Sequence, residues 1–258
     1  MTRSARKSKS GTRSGKAAGG LAARLKAVFL DRPASLVGWI RAVFLRGALI
    51  LGALVVVLVL LFSVVNPPVT FTMMSESWRL DRSLHRDWVP MERIAPVMAR
   101  SAVAAEDANF CLHWGFDVAA IRAVIAEGGT RGGSTISQQV VKNVFLWQGR
   151  SWFRKALEAA ITPLVELVWS KRRILEVYLN VAEMSEGVFG VGAAAQQSFG
   201  VTADKLSARQ AALIAAVLPS PRTRSAAKPS AALRKRAAGI ADGAATIRAD
   251  GRAACFED

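Results

Sequence analysis

Acids are scarce in this chain, with 19 Asp+Glu against 35 Lys+Arg, and two of them stand together. Glu106 and Asp107 end an Ala/Val-rich run in "AAEDANFCLHWGFD" (104–117). A carboxylate at the end of an apolar helix can be a solvated helix end. Facing a cleft, it can be a general base that takes a proton from a hydroxyl. Downstream, Lys142, Arg150 and Glu158 recur at intervals of eight. Arg150, Arg154 and Glu158 share one side of any helix that covers them, and Lys155 stands three before Glu158. Ahead of this set, "RGGST" (131–135) leads into a helix whose free N–H groups would favour an anion. A Gly-rich turn, a helix N-terminus and several cations suit a pyrophosphate. A solvated, salt-bridged helix face accounts for the same charges, and spacing alone leaves both readings open.

Other chemistries find less support. The two histidines, His85 and His113, are far apart, and no Cys/His ligand spacing occurs. "SAAK" (225–228) matches the S-x-x-K of acyl-transfer enzymes but has no S-D-N or K-T-G companion. There is no P-loop.

The elements that must position these groups read as helices, with few strand-like alternations. One helix is expected from Pro96 to Asp107, with Pro near its first turn. Thr135 to Gln138 fits a capping box, and Ile136, Val140 and Val144 continue it as an apolar stripe. Ser151 and Ser170 are expected to cap the next two helices. "ARQAALIAAVLPSP" (208–221) reads as another, stopped by Pro219 and Pro221. Beyond Arg222 the chain is Ala/Arg-rich with a helical tendency.

The chain has 258 residues and a formal net charge of +16, which points to an anionic partner. Residues 1–46 hold eleven Lys/Arg and a single acid, Asp31, and read as a basic cytoplasmic tail, Ser/Gly-rich over its first twenty residues. The apolar run Gly47–Val65 follows, too long and too far from the N-terminus for a signal-peptide core, and is expected to span a membrane. Lys and Arg stay on the cytoplasmic side, so residues 66–258 are expected outside it. Topology accounts for the basic flank, and no nucleic-acid partner is expected. Residues 66–90 read as a membrane-proximal linker, 91–222 as the main domain and 223–258 as a C-terminal segment. Cys111 and Cys255 would then face a compartment where a disulfide can form. Cys255 lies so close to the C-terminus that no structural bridge is expected. In "VFLWQGRSWF" (144–153), Trp147, Trp152 and Phe153 are candidates for a patch dipping into a membrane interface.

Four segments occur in order: "EDANFCLHWGFD", "RGGSTISQQVVKNVFLWQGRSWFRKALEA", "KRRILEVYLNVAEMSEGVFGVGAAAQQSFG" and "AALIAAVLPSP". Together they resemble the successive motifs of the peptidoglycan glycosyltransferase family, and the short anchored chain is similar to its monofunctional biosynthetic (transglycosylase) members. The resemblance covers about Trp88 to Pro221 and is specific as an ordered set. It implies a mainly α, lysozyme-like domain that polymerises lipid II into glycan strands by inverting transfer, releasing undecaprenyl diphosphate, at the outer face of the bacterial inner membrane. It makes Glu106 the catalytic base and Glu158 the second catalytic carboxylate. Asp107, Ser134, Gln139, Lys142, Arg150 and Lys155 become contacts to sugar and pyrophosphate. The implied partners are lipid II, the growing strand and the membrane, with cell-wall synthesis or division proteins as further candidates. A Mg2+ or Mn2+ bridging the diphosphate near Glu158 is compatible with this, although no ligand set encodes one. No transpeptidase segment is expected to follow. The rival readings are a hydrolase of finished glycan, which needs a carboxyl of raised pKa as acid, and an inactive scaffold. Cations around the site are expected to keep its carboxylates ionised, which disfavours the hydrolase.

Overall fold

A computed structural model describes residues 35–126, 128, 132–149 and 151–257. The basic tail lies outside the described residues as far as residue 34, as do Arg150 and part of the Gly-rich loop at 127–135. The chain divides into two compact units, Met1–Val57 and Leu58–Asp258.

The apolar run lies in helix α1, Leu36–Phe62. It is the one helix among the described residues long and apolar enough to cross a membrane, and it fits a single-pass anchor. It starts well before Gly47 because Arg41 and Arg46 interrupt the apolar run with good helix formers. It stops short of Val65, where the Ser63 hydroxyl donates to the Leu60 carbonyl at 2.7 Å and Pro67 and Pro68 follow.

The second unit is mostly helical. Helix α2 (Phe71–Leu80) precedes a short strand β1 (His85–Arg86). Helix α3 (Pro96–Glu106) carries proline in its first turn and ends one residue before Asp107. Helices α4 (Val118–Ala126), α5 (Ile136–Phe145), α6 (Trp152–Val168) and α7 (Lys171–Val181) follow. Strands β2 (Glu183–Ser185) and β3 (Val188–Phe189) then lead into α8 (Val191–Phe199), α9 (Ala208–Val217) and α10 (Ala231–Ala249), and a last turn covers Ala254–Glu257. The serines at 151 and 170 cap α6 and α7 by accepting from the backbone N–H groups of Arg154 and Arg173. Thr135 and Gln138 form the capping box expected from their spacing. A second box, Ser207 with Gln210, starts α9.

That second box is remote from the chemistry and isolates what a cap contributes. Ser207→Ala should lower stability by about 1 kcal/mol, a melting shift of roughly 2–4 °C, with activity unchanged. Thermal unfolding of the two proteins side by side checks it, and an unshifted melt would mean the cap contributes nothing.

Small side chains let the helices approach closely. Ala211 through Val217 are all buried in α9, which packs against α3 and α10. A Cβ on Gly243 of α10 would stand 3.2 Å from that of Ala104 in α3. Tyr178, Phe110, Phe189 and Phe256 fill the largest fully buried volumes. The strands form a three-stranded sheet in the order β1-β3-β2, β1 parallel and β2 antiparallel to β3. Two- and three-residue strands are too short to display a period of two, so the sequence pattern carries no trace of them. The buried Asn180 side chain clasps the chain after β1, accepting from Val89 N–H and donating to its carbonyl, each at 2.8 Å. Gly190, at φ 84°, passes so close to α7 that a Cβ would meet the Asn180 carbonyl at 2.9 Å.

The C-terminal segment differs from expectation. Residues 223–257 fold into the second unit, and Cys111 and Cys255 are joined by a disulfide. Nearness to the terminus misleads because this end is not frayed. Phe256 is fully buried against Phe110, and Glu257 forms an ion pair with Arg100 of α3.

Candidate active site

Helix α3 ends at Glu106 and the chain turns there, so the two acids of the pair face different surroundings. The side chain of Asp107 is occupied inside the fold. One oxygen meets His113 Nε2 at 2.8 Å, and the other accepts the backbone N–H of Ile136 at 2.9 Å. Asp107 therefore fastens the end of α3 to the start of α5. This changes the reading of the "RGGST" turn. The N-terminus of α5 faces the Asp107 carboxylate and its own capping box, so its N–H groups at Ile136 and Gln138 already have partners. The local backbone is set by Gly115, at φ 82°, where a Cβ would collide with Thr162 Cγ2 at 2.5 Å.

Glu106 points elsewhere. Its Oε2 accepts from Gln139 Nε2 at 2.9 Å, and Gln139 Oε1 in turn accepts from the buried Tyr178 hydroxyl at a long 3.4 Å. Burial pushes the Glu106 carboxyl above the usual carboxylate range, against the Gln139 hydrogen bond and the positive charges of Arg236 and Lys142. The expectation that nearby cations would dominate is thus overturned. Desolvation wins, because residues from helices distant in sequence close around the Glu106 carboxyl.

Gln139, Lys142 and Asn143 stand at i, i+3 and i+4 on α5 and line a cleft of about 410 Å³ together with Tyr178, Glu183 and Arg222. Among the described residues, the half-buried Lys142 side chain makes no hydrogen bond or ion pair. Burial lowers its ammonium pKa, against the attraction of Glu158 and Glu106. On α6, Glu158 is buried with both oxygens engaged, one by Arg154 at 2.6 Å and the other by Lys155. Lys155 also donates to Ser134 Oγ at 3.0 Å. Arg154 holds the Gly149 carbonyl at 3.0 Å, tying the loop before α6 to this cluster. Arg150 lies outside the described residues.

The sequence-derived candidates fall into two linked groups, Glu106 with Gln139, and Ser134 with Lys155 and Glu158. Lys142 lies between them within the electrostatic reach of both carboxylates. Several contributors escaped sequence reasoning. Tyr178 had no charge to betray it, although it is the single tyrosine of the chain. Glu183 and Arg222, 3.2 Å apart on the cleft wall, come from separate elements. Arg236, whose charge reaches Glu106, belongs to the C-terminal segment set outside the main domain.

Metal ligation finds little here. Among the described residues no three His, Cys, Asp or Glu side chains cluster to hold an ion. Glu158, the acid nearest the cations, has both oxygens taken by Arg154 and Lys155, so these residues do not fit a protein-built divalent site.

A half-buried carboxyl at the end of a helix, within electrostatic reach of a lysine that lines a cleft, gives this helical domain the parts of an enzyme of glycosyl chemistry. The family model described as Transglycosylase (Transgly) matches residues 73–245. A protein of Jannaschia sp. (strain CCS1) named "Biosynthetic peptidoglycan transglycosylase" is 66% identical over 212 residues, spanning 82% of this chain and 88% of its own. One of the same name from Stutzerimonas stutzeri (strain A1501) is 54% identical over 197 residues, spanning 73% and 81%. The chain belongs to the Transglycosylase family, with the monofunctional biosynthetic peptidoglycan transglycosylases. It is a glycosyltransferase of cell-wall biosynthesis.

Proposed function

We propose that the chain polymerises lipid II into glycan strands, with inversion at the anomeric carbon and release of undecaprenyl diphosphate. The observation that carries this reading is Lys142, a half-buried ammonium with no hydrogen-bonding partner among the described residues, in the wall of a cleft. Such a group calls for an anion, and a diphosphate leaving group supplies one. The acceptor's 4-hydroxyl attacks the donor's anomeric carbon. Glu106 takes the hydroxyl proton as the new C–O bond forms. The old bond to the diphosphate breaks, and its electron pair leaves on the phosphate oxygen. A carboxylate of raised pKa is a stronger base than an ordinary one, which suits this step. The diphosphate leaves as a stable anion and needs cations, not an acid. Lys142, Lys155 and Arg150 supply the charge. Glu158 holds Arg154 and Lys155 in place rather than meeting substrate, and Ser134 orients Lys155. Gln139 orients Glu106, and Asp107 fixes the helix end that carries it. A divalent ion accompanying the diphosphate would be held by substrate and water.

A raised carboxyl pKa would serve a hydrolase equally well, so Glu106 alone does not separate the two reactions. Lys142 does, because a glycosidic ether offers it no charge. Incubating the detergent-solubilised chain with lipid II and sizing the products tests the reading. Cleavage of finished, diphosphate-free strands without polymer formation would overturn it.

The domain is also proposed to lie on the membrane, on the outer side of the inner membrane with the N-terminus cytoplasmic. Support comes from α6, whose polarity is inverted. Arg154, Glu158, Thr162 and Glu166 are buried, whereas Trp152 is 92% exposed and Phe153, Leu164, Leu167 and Val168 share the outward side. The Trp147 ring packs at a tilt against Phe153, with ring centroids 6.4 Å apart. Protein lacking residues 1–65 should still sediment with anionic vesicles. Replacing both Trp152 and Phe153 by serine should weaken that binding about tenfold or more. A truncated protein that stays in the supernatant at low salt would count against the patch. Cell-wall synthesis or division proteins remain candidate partners on the strength of the family role.

A further inference from the structure

The C-terminal end of the chain converges on one short stretch of backbone. Between Asp107 and His113 runs the loop that follows the base. Four contacts from residues 252–257 meet this loop or the α3 helix before it. Cys255 is bonded to Cys111 in the middle of the loop. The Phe256 ring packs on Phe110, centroids 6.4 Å apart. Arg252 Nη1 donates to the Ala108 carbonyl at 2.9 Å. Glu257 pairs with Arg100 two turns upstream of Glu106 on α3. Arg172 of α7 holds the other side by donating to the Phe256 carbonyl at 2.9 Å.

Non-covalent contacts of this size fray readily at a chain end. The disulfide keeps the two segments side by side across a sequence separation of 144 residues, which raises the effective concentration at which these contacts form. Asp107 and His113 flank the bonded cysteine, and their mutual hydrogen bond together with the Asp107 contact to Ile136 sets the end of α3. Without the bridge, the only covalent hold on this loop would be the backbone itself. Both cysteines are half-buried, so a redox partner can reach the bond.

We propose that the Cys111–Cys255 disulfide is a redox-dependent clasp that positions the Glu106 loop, so that glycosyl transfer requires the oxidised chain. Its formation removes two electrons and two protons from the two thiols. The oxidant is a disulfide-carrying thiol oxidoreductase. One cysteine thiolate attacks its disulfide to give a mixed disulfide, and the second thiolate displaces the oxidoreductase, which leaves with both its thiols reduced. With two cysteines in the chain, only one internal pairing exists and no reshuffling step is needed. The enzyme is then held inactive in a thiol-reducing compartment and switched on after export.

This inference rests on the reading of Glu106 as base, and the test keeps the two apart. The full-length chain is equilibrated in glutathione buffers of graded redox ratio. Free thiols, far-UV circular dichroism and the kcat and KM for lipid II polymerisation are read on the same samples. Polymerisation by the oxidised protein establishes the underlying function independently. Reduction should then expose two thiols and lower kcat about tenfold or more, with KM within about threefold and helicity retained. Cys111→Ser, Cys255→Ser and the double variant should match the reduced wild type and one another, because all remove the same link. Truncation after Gly251 supplies a second route to the same loss without touching Cys111. The clasp is refuted if the fully reduced chain keeps kcat within about twofold. It is equally refuted if activity falls only in step with loss of helicity, or if protein taken from the cell envelope carries two free thiols.

Discussion

Glu106→Gln should reduce polymerisation by about 10²–10⁴-fold while leaving the protein folded. Glutamine retains the oxygen that accepts from Gln139 Nε2, so the Tyr178–Gln139 chain survives, but it cannot take a proton. Stability should move in the opposite direction to activity. Burial raises the folded-state pKa of Glu106. The ionised carboxylate is therefore destabilising above that raised value, and the effect disappears as pH falls below the ordinary carboxylate pKa. Near neutral pH the glutamine variant should melt at or above the wild type, and the difference should vanish in acid. Product sizing together with paired melts checks both halves. A variant that polymerised at near wild-type rate would reduce Glu106 to a helix-end carboxylate.

Lys142→Ala should lower kcat/KM on lipid II by one to two decades, the ~1.5–3 kcal/mol of a charge-assisted hydrogen bond to phosphate. The pH profile adds a sharper signature. The rate should rise with pH as Glu106 ionises, later than for an ordinary glutamate. It should fall again as Lys142 deprotonates, earlier than for an ordinary lysine, because burial lowers its pKa. Lys142→Arg, which keeps its charge, should extend the alkaline limb even if its peak rate is lower. Arg150→Ala should cost a similar factor, with Arg150→Lys recovering part of it, and the double variant with Lys142→Ala should be less than additive if both grip one phosphate. Activity of Lys142→Ala within twofold of wild type would remove the argument for a diphosphate at this site.

The helices were legible because their determinants are local. Pro96, Thr135, Ser151 and Ser170 announce their helices through side chains that act within one turn. The acidic pair and the charged face of α6 could likewise be found by counting. What counting could not give was direction. Glu106 and Asp107 are adjacent and chemically alike, yet one is an internal brace and the other is held by Gln139, because the chain turns between them. Burial around Glu106 comes from helices distant in sequence, so the sign of its pKa shift is a tertiary property. The same holds for Arg236 and for Cys255. Their importance lies in what the chain end packs against, and an Ala/Arg-rich composition says nothing of that.

The outward-facing apolar side of α6 also bears on how substrate is found. A domain that rests on a lipid surface through Trp152, Phe153 and Leu167 searches in two dimensions rather than three. Its velocity would then follow the mole fraction of substrate among the surrounding lipids, not its molar concentration in the tube. Adding inert detergent at constant total substrate should slow the enzyme by surface dilution. A glycan-processing enzyme working from bulk water would not respond in this way.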